Sequence, residues 1–360
     1  MSNSNQTNIF DQIEEMGHEQ VMFFNDNETG LKGIIGIHNT TLGPALGGTR
    51  VWRYENEQSA INDVLRLSRG MTFKSSIIGI NLGGGKAVII DNPKAKKDEP
   101  FWRRYGKFVE NLGGKYITAE DVGTSTQFME YISMETSHVM GKPFYLGGSG
   151  DPSPVTAYGV YLGIKASQKK LTGSDSLEGK KIMVQGVGHV GQYLIELLAK
   201  ENAEILIADI NEANLKNVTS KFKATVIGVN DVYVTDMDIY APCALGATVN
   251  DTTIEKLKCS IIAGAANNQL QDEFIHGRRL KEKGILYAPD FLINAGGVVN
   301  CYTEIDGYNK ERTYSITENI YKQTIDIFNT SENSEKGTQE VALEIAMERI
   351  NSIGKIRQTR

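Results

Sequence analysis

Two α/β domains, the second a doubly wound parallel sheet, are what this sequence predicts, and three observations predict them. At 360 residues the chain exceeds the roughly 250–300 at which a single hydrophobic core stops growing. Strand-like apolar runs alternate with helix-periodic stretches along most of its length, the pattern of α/β layers. Near its middle one such strand runs into Gly-x-Gly-x-x-Gly and then into a helix. Apolar residues at 40% and charged residues at 23% are those of a soluble globular protein. The formal net charge of -6 comes with no basic stripe to neutralise phosphates, so nucleic acid is not an expected partner. Cys243, Cys259 and Cys301 have neither metal-ligand nor Cys-x-x-Cys spacing; this suits a reducing compartment and gives no metal site. The N-terminus lacks a basic n-region and an apolar h-region, and no run approaches the roughly 20 apolar residues of a membrane span. A cytoplasmic protein is expected.

In the first half, Val21-Met22-Phe23-Phe24 and residues 33–38 read as a hairpin across the turn-rich residues 25–30. The glycine and proline density of residues 41–50 reads as a fixed irregular loop of the kind that lines a site. Ile61, Val64, Leu65 and Ser68 recur at i, i+3, i+4 and i+7, which predicts a helix over 57–70 that delivers the chain to Lys74. Strand 86–90, helix 99–112, strand 116–119 and helix 124–134 follow.

Two lysines here stand apart from any charge run. Lys74 precedes Ser75-Ser76-Ile77-Ile78, and Lys86 lies between Gly83-Gly84-Gly85 and Ala87-Val88-Ile89-Ile90. A lysine at the mouth of a buried strand is desolvated, and a second ammonium nearby repels it. Both effects lower its pKa toward a value where the neutral amine acts as a base. The same residues also read as a tight turn carrying a solvated lysine. Glu120 and Asp121 stand where a strand gives way to Gly123, the end of an α/β sheet where ligands bind. An acid beside such a turn also serves as an N-cap, and Asp121 gains interest only with the lysines near it.

Residues 147–154 form the richest Gly/Ser/Pro cluster in the chain and read as the hinge between a domain of 1–146 and one of 147–330. Pro154 opens a helix through Lys169. Residues 181–185 form a strand that enters Gly186-Val187-Gly188-His189-Val190-Gly191 and the helix 192–200, and the next strand, 204–208, ends in Asp209, 18 residues beyond Gly191. The glycines allow a tight turn and the close approach of a pyrophosphate to a helix N-terminus, while the acid accepts hydrogen bonds from a ribose. A dinucleotide is therefore the expected cofactor, with His189 incidental at a variable position of the motif. Strands near 238–241, 260–263 and 284–287 complete the doubly wound sheet, and Asn267 and Asn268 offer amides to a ribose or nicotinamide. The tail from 308 to 353 reads as two amphipathic helices.

Taken in order, residues 43–50, 70–74, 81–86, 116–123, 150–160, 241–247 and 287–297 resemble the Glu/Leu/Phe/Val dehydrogenases, and the likeness runs from about residue 10 to about 350. The resemblance implies oxidative deamination of an L-amino acid to its 2-oxo acid and ammonium, with NAD reduced. By it Lys74 holds the substrate carboxylate, Lys86 activates water for attack on the imine, and Asp121 shuttles protons at nitrogen. Leu46, Gly47, Ala119, Val298 and Cys301 contact substrate, and Thr156, Gly186, Gly188, His189, Val190, Gly191, Asp209, Ala244, Asn267 and Asn294 hold the cofactor in a Rossmann-type domain. It also implies that the C-terminal helix, 331–360, packs back on the first domain, and that subunits form a homo-oligomer, an octamer. Leu46 stands where glutamate-specific members carry a lysine for the side-chain carboxylate, which implies a branched-chain aliphatic substrate: leucine, with isoleucine and valine. The chain departs from the family at Ser75-Ser76-Ile77-Ile78, where Asn and alanines are usual, at His189 in place of Asn, and at Cys301 in place of valine. Two other readings stay open: the same reaction on valine, phenylalanine or tryptophan, and a dinucleotide-binding regulatory protein without chemistry.

Overall fold

The computed structural model describes residues 8–244 and 246–358; Leu245, within the stretch 241–247, lies outside them. The chain folds into two compact units. One comprises Met1–Asp151, Cys301–Asn309 and Met347–Arg360, the other Pro152–Asn300 and Lys310–Ala346. The division thus falls a few residues after the expected 146/147 boundary. Of the expected returning segment 331–360, the part from 347 belongs to the first unit, joined by 301–309, which the sequence does not punctuate.

In the first unit, α1 (Ile9–Met16) leads to β1 (Gln20–Asp26), β2 (Leu31–Asn39), β3 (Ala45–Trp52), α2 (Glu57–Ile77), β4 (Gly83–Ile90), α3 (Glu99–Glu110), β5 (Tyr116–Glu120) and α4 (Thr126–Ser133). The strands form one mixed sheet in the order β1-β2-β4-β3-β5. Residues 45–52 are therefore a strand, and a central one, where glycine and proline density suggests a loop. β3 runs parallel to both β4 and β5, pairing Leu46 with Gly84 and Ile117, and Gly48 with Ala119. Helix α2 extends to Ile77, past the predicted end at 70, so Lys74 lies on it. Its N-terminus is capped by Asn56, whose side chain accepts from Ser59 N. Its apolar stripe of Ala60, Val64 and Leu65 packs on Ile34 and Val88. Packing against the sheet carries the helix through Gly70, which propensity alone disfavours. Close approach is possible because β4 carries glycine: a methyl group on Gly84 would lie 2.1 Å from Thr72 N.

The opposite face of the sheet is covered by α3 and α4, where Trp102, Tyr105 and Tyr116 are fully buried. Its buried hydroxyls satisfy one another: Thr49 Oγ1 lies 2.6 Å from both Tyr105 OH and Thr118 Oγ1. The segment 301–309 is fixed to this unit by the buried Glu304, whose Oε2 accepts from Gly141 N at 2.8 Å and Ser149 N at 2.9 Å.

The second unit begins with α5 (Ser153–Thr172), which has proline in its first turn and Gly173 as a left-handed C-cap. It continues through β6 (Lys181–Gln185), α6 (His189–Lys200), β7 (Glu204–Ala208), α7 (Glu212–Thr219), β8 (Ala224–Val226), β9 (Ile239–Pro242), α8 (Asp251–Ile254), β10 (Ile261–Ile262), α9 (Ile275–Glu282), β11 (Leu286–Tyr287), α10 (Asp290–Ile293) and α11 (Gly296–Tyr302), whose residues from Cys301 on belong to the first unit. Helices α12 (Lys310–Glu332) and α13 (Thr338–Gln358) follow, with the part of α13 from 347 belonging to the first unit. All six strands are parallel, in the order β11-β10-β9-β6-β7-β8. The order reverses at β6, next to β9, which is the switch point where doubly wound sheets bind ligands. Among the described residues no helix is long and apolar enough to cross a membrane.

Candidate active site

Strand parity decides what meets what in the first unit. Leu46, Gly48 and Arg50 of β3, Gly84, Lys86 and Val88 of β4, and Ile117 and Ala119 of β5 share the face covered by α2. Asp121, just past β5, continues that face. Lys86 Nζ lies 2.8 Å from Asp121 Oδ2, with the lysine side chain only 7% exposed. Burial lowers the pKa of Lys86 below the ordinary lysine value; the Asp121 charge opposes that shift and the Arg50 charge adds to it. Burial alone would raise the Asp121 carboxyl, but Lys86 and Arg50 outweigh it and hold its pKa at about 2. This buried, paired lysine replaces the solvated turn lysine that the sequence also allowed.

Sequence reasoning missed the other half of the cluster. Arg50 Nε donates to Asp121 Oδ2 at 3.0 Å and Nη1 to Asp63 Oδ2 at 3.1 Å, and Tyr54 OH donates to the same Asp63 oxygen at 2.6 Å. Both cations meet one oxygen of Asp121, Oδ2. Reading residues 45–52 as a strand would have found Arg50, because alternation puts it on the Leu46 and Gly48 face.

The remaining predicted residues of this unit are distributed as follows. Leu46, Ala119 and Cys301 are buried, at 1%, 5% and 8% exposure. The Cys301 thiol is pushed up to about 12, by burial first and then by Glu304 and Glu120, so it stays neutral. Gly47 is buried on the opposite face, and its carbonyl accepts from Tyr116 OH. Lys74 is half-buried, two residues beyond the Thr72 that abuts Gly84. Val298 belongs to the second unit, buried on α11.

In the second unit the glycine loop has the shape of a phosphate cradle. Gly186 takes φ +99°, and a methyl on Gly191 would lie 2.2 Å from the Gly186 carbonyl. A methyl on Gly188 would meet nothing within 4 Å, and α6 starts at His189 with no side-chain cap, which leaves the amides from Gly188 to Val190 for an anion. Ala244 packs against Gly186 from the adjoining strand end. Asp209 accepts from Val187 N at 2.7 Å through Oδ2 and from Asn211 N at 2.8 Å through Oδ1, which holds the carboxylate at the loop. Across the switch point, Asn294 Nδ2 donates to Asn267 Oδ1 at 2.9 Å and to the Ala265 carbonyl at 3.1 Å, while Asn294 Oδ1 is buried without a partner. Thr156 bonds the Pro152 carbonyl and lies against Gly297. A dinucleotide fits this donor set: open amides for the pyrophosphate, a carboxylate for a ribose and an unpaired amide oxygen for a carboxamide.

A doubly wound dinucleotide unit joined to a unit with a buried Lys–Asp–Arg cluster defines a nicotinamide-dependent oxidoreductase. The family profile described as Glu/Leu/Phe/Val dehydrogenase, dimerisation domain, matches residues 18–138, and the profile of Glutamate/Leucine/Phenylalanine/Valine dehydrogenase matches 147–211 and 206–355. A leucine dehydrogenase of Thermoactinomyces intermedius is 50% identical over 351 residues, spanning 98% of this chain and 96% of that one. An L-tryptophan dehydrogenase of Nostoc punctiforme is 45% identical over 344 residues, 96% of each chain. The crystal structure of L-tryptophan dehydrogenase from Nostoc punctiforme superposes with a TM-score of 0.81 at 43% identity, covering 96% of this chain and 99% of that chain. The chain belongs to the Glu/Leu/Phe/Val dehydrogenase family.

Proposed function

We propose that the protein catalyses the reversible NAD-dependent oxidative deamination of a branched-chain aliphatic L-amino acid, leucine foremost with isoleucine and valine, to its 2-oxo acid and ammonium. The observation that carries this reading is the buried Lys86–Asp121 pair on the same sheet face as Leu46 and Ala119. NAD, when bound to the second unit, supplies the oxidant that accepts hydride from the substrate Cα.

Lys74 holds the substrate carboxylate. Asp121, ionised at neutral pH, takes a proton from the substrate nitrogen and returns it to the departing ammonia. Lys86 as the neutral amine removes a proton from the water that attacks the imine carbon. The two groups are coupled: a proton on Asp121 cancels the charge that helps Lys86 keep its own, so protonating one favours deprotonating the other. Because Arg50 and Lys86 both occupy Oδ2, Oδ1 is the oxygen that faces the substrate nitrogen.

Leu46, Ala119 and the neutral Cys301 are apolar partners for the substrate side chain, and no cation stands among them for a second carboxylate. Burying an unpaired carboxylate costs several kcal/mol, whereas burying a leucine side chain gains roughly 1.5–3. Asp209 disfavours a 2′-phosphate through like-charge repulsion, and no arginine follows in the next ten residues, which supports NAD over NADP. The profile named for dimerisation supports a homo-oligomer, an octamer by family resemblance, and three free cysteines suit the cytoplasm. Lys86→Ala tests the catalytic assignment: kcat should fall by roughly 10²–10⁴-fold, the worth of a general base, while NADH binding measured by fluorescence is retained. A variant that keeps more than about a tenth of wild-type turnover at saturating leucine would remove Lys86 from the mechanism.

A further inference from the structure

The C-terminal helix supplies no group to the sites described above, yet one of its residues grips the backbone that carries them. Arg349 of α13 donates from Nη1 to the carbonyls of Ile80 at 3.0 Å and Ser76 at 3.4 Å. From Nη2 it donates to the Gly79 carbonyl at 3.2 Å and to Asn81 Oδ1 at 2.8 Å. These four acceptors are the end of α2 and the loop that joins it to β4. Ser76 stands two residues beyond Lys74, and Asn81 five before Lys86.

The physical fit is specific. A helix C-terminus presents carbonyls without intrahelical partners and a partial negative charge, so a cation with several donors is favoured there twice over. The planar guanidinium fork reaches four oxygens at once, which an ammonium cannot do with the same geometry. The turn it grips is already closed, by Gly79 N to the Ser76 carbonyl at 3.1 Å and Ile80 N to the Ser75 carbonyl at 3.2 Å. The same loop supports the approach to Leu46: a methyl on Gly43 would lie 2.3 Å from the Asn81 carbonyl. Further along α13, Gly354 passes Thr41, where a methyl would stand 3.4 Å from Thr41 Cγ2.

We propose that Arg349 is a positioning residue of the amino-acid site, fixing the α2–β4 connection and with it the placement of Lys74 relative to Lys86. This rests on the reading of Lys74 as the group that holds the substrate carboxylate. Arg349→Ala, Arg349→Lys and Lys74→Ala are compared with wild type as full-length proteins, well below their melting temperatures. Arg349→Ala should raise the KM for L-leucine roughly tenfold or more, the effect of losing a charged hydrogen-bond donor, with kcat falling less and the KM for NAD unchanged. Arg349→Lys should lie between the two, and added guanidinium ion should lower the leucine KM of Arg349→Ala but not that of wild type. A residue that merely stabilises the fold would lower the melting temperature and leave these constants alone; an unchanged leucine KM in Arg349→Ala overturns the inference. If that KM is unchanged while Lys74→Ala raises its own, the Arg349 inference fails alone. An unchanged KM in Lys74→Ala removes the carboxylate role of Lys74 and this inference with it. Should Arg349→Ala not fold, Asn81→Ala and Arg349→Lys carry the same expectation of a raised leucine KM, and wild-type values in both overturn it.

Discussion

At the scale of single residues, chemistry and position are legible in the sequence to different degrees. Lys74, Lys86 and Asp121 announce themselves by company: lysines without neighbouring charges, and an acid at a strand end. Arg50 does not, because its partners Asp121 and Asp63 are 71 and 13 residues away along the chain. Its effect on Lys86 is nonetheless direct, since its charge lowers the lysine pKa. Replacing it by Arg50→Gln removes that repulsion and leaves Asp121 wholly to Lys86, and both changes favour the ammonium. The ascending limb of kcat/KM for amino-acid oxidation should therefore move to higher pH in this variant, measured as a pH–rate profile. A limb that stays in place or moves to lower pH contradicts the coupling.

At the scale of elements, the sequence states strands and helices well where their period is clean and poorly where tertiary contact decides. The residues of β3 look like a loop because Gly47 and Gly48 interrupt any alternation, yet the register needs a strand there between β4 and β5. β8 is three residues long and partly exposed, too short for a periodic signal. Helix α2 continues past Gly70 because its buried face is held on β4, and the thinness of that strand is what brings Lys74's helix so near. Gly84→Ala should push the two apart, since the added carbon would meet Thr72 N at 2.1 Å and Ser68 O at 2.5 Å. Overpacking of this kind costs about 1–3 kcal/mol, so a lower melting temperature together with a raised leucine KM is expected. A variant as stable and active as wild type would mean that α2 is free to move.

For the whole molecule, the alternation of strands and helices, the glycine motif and the hinge region foretell two α/β units, while the return of residues 301–309 to the first unit depends on the contact of Glu304 with distant amides and leaves no mark in local sequence. Three ionisable groups of the first unit, the buried His18 and His38 and the partly buried Glu120, also set how stability follows pH. His18 and His38 pack edge to face, 4.8 Å apart, and bond Ser68 and Thr72 of α2. Burial lowers each to about 4 from 6.5, so the unfolded chain binds protons that the folded one refuses, and stability falls as pH drops from 6.5 through 4. Glu120 works in the other direction. Burial, then Asp151 and Asp121, raise it to about 7 from 4.5, and its Oε2 is buried without a partner, so stability is lost as pH rises from 4.5 through 7. Glu120→Gln should accordingly raise the melting temperature at about pH 8 more than at about pH 5, and an equal effect at both would contradict a raised carboxyl. The central claim, that the dinucleotide unit and the Lys86 unit together make one enzyme for branched-chain amino acids, is tested most directly by reduced cofactor formed over a panel of L-amino acids with NAD and NADP, ammonium release being measured alongside. Leucine, isoleucine and valine should each reduce NAD with one ammonium per NADH, differing among themselves by no more than roughly 10–200-fold, the worth of a methylene. Glutamate as the best substrate, equal kcat/KM with NADP, or NADH binding without turnover of any amino acid would contradict it.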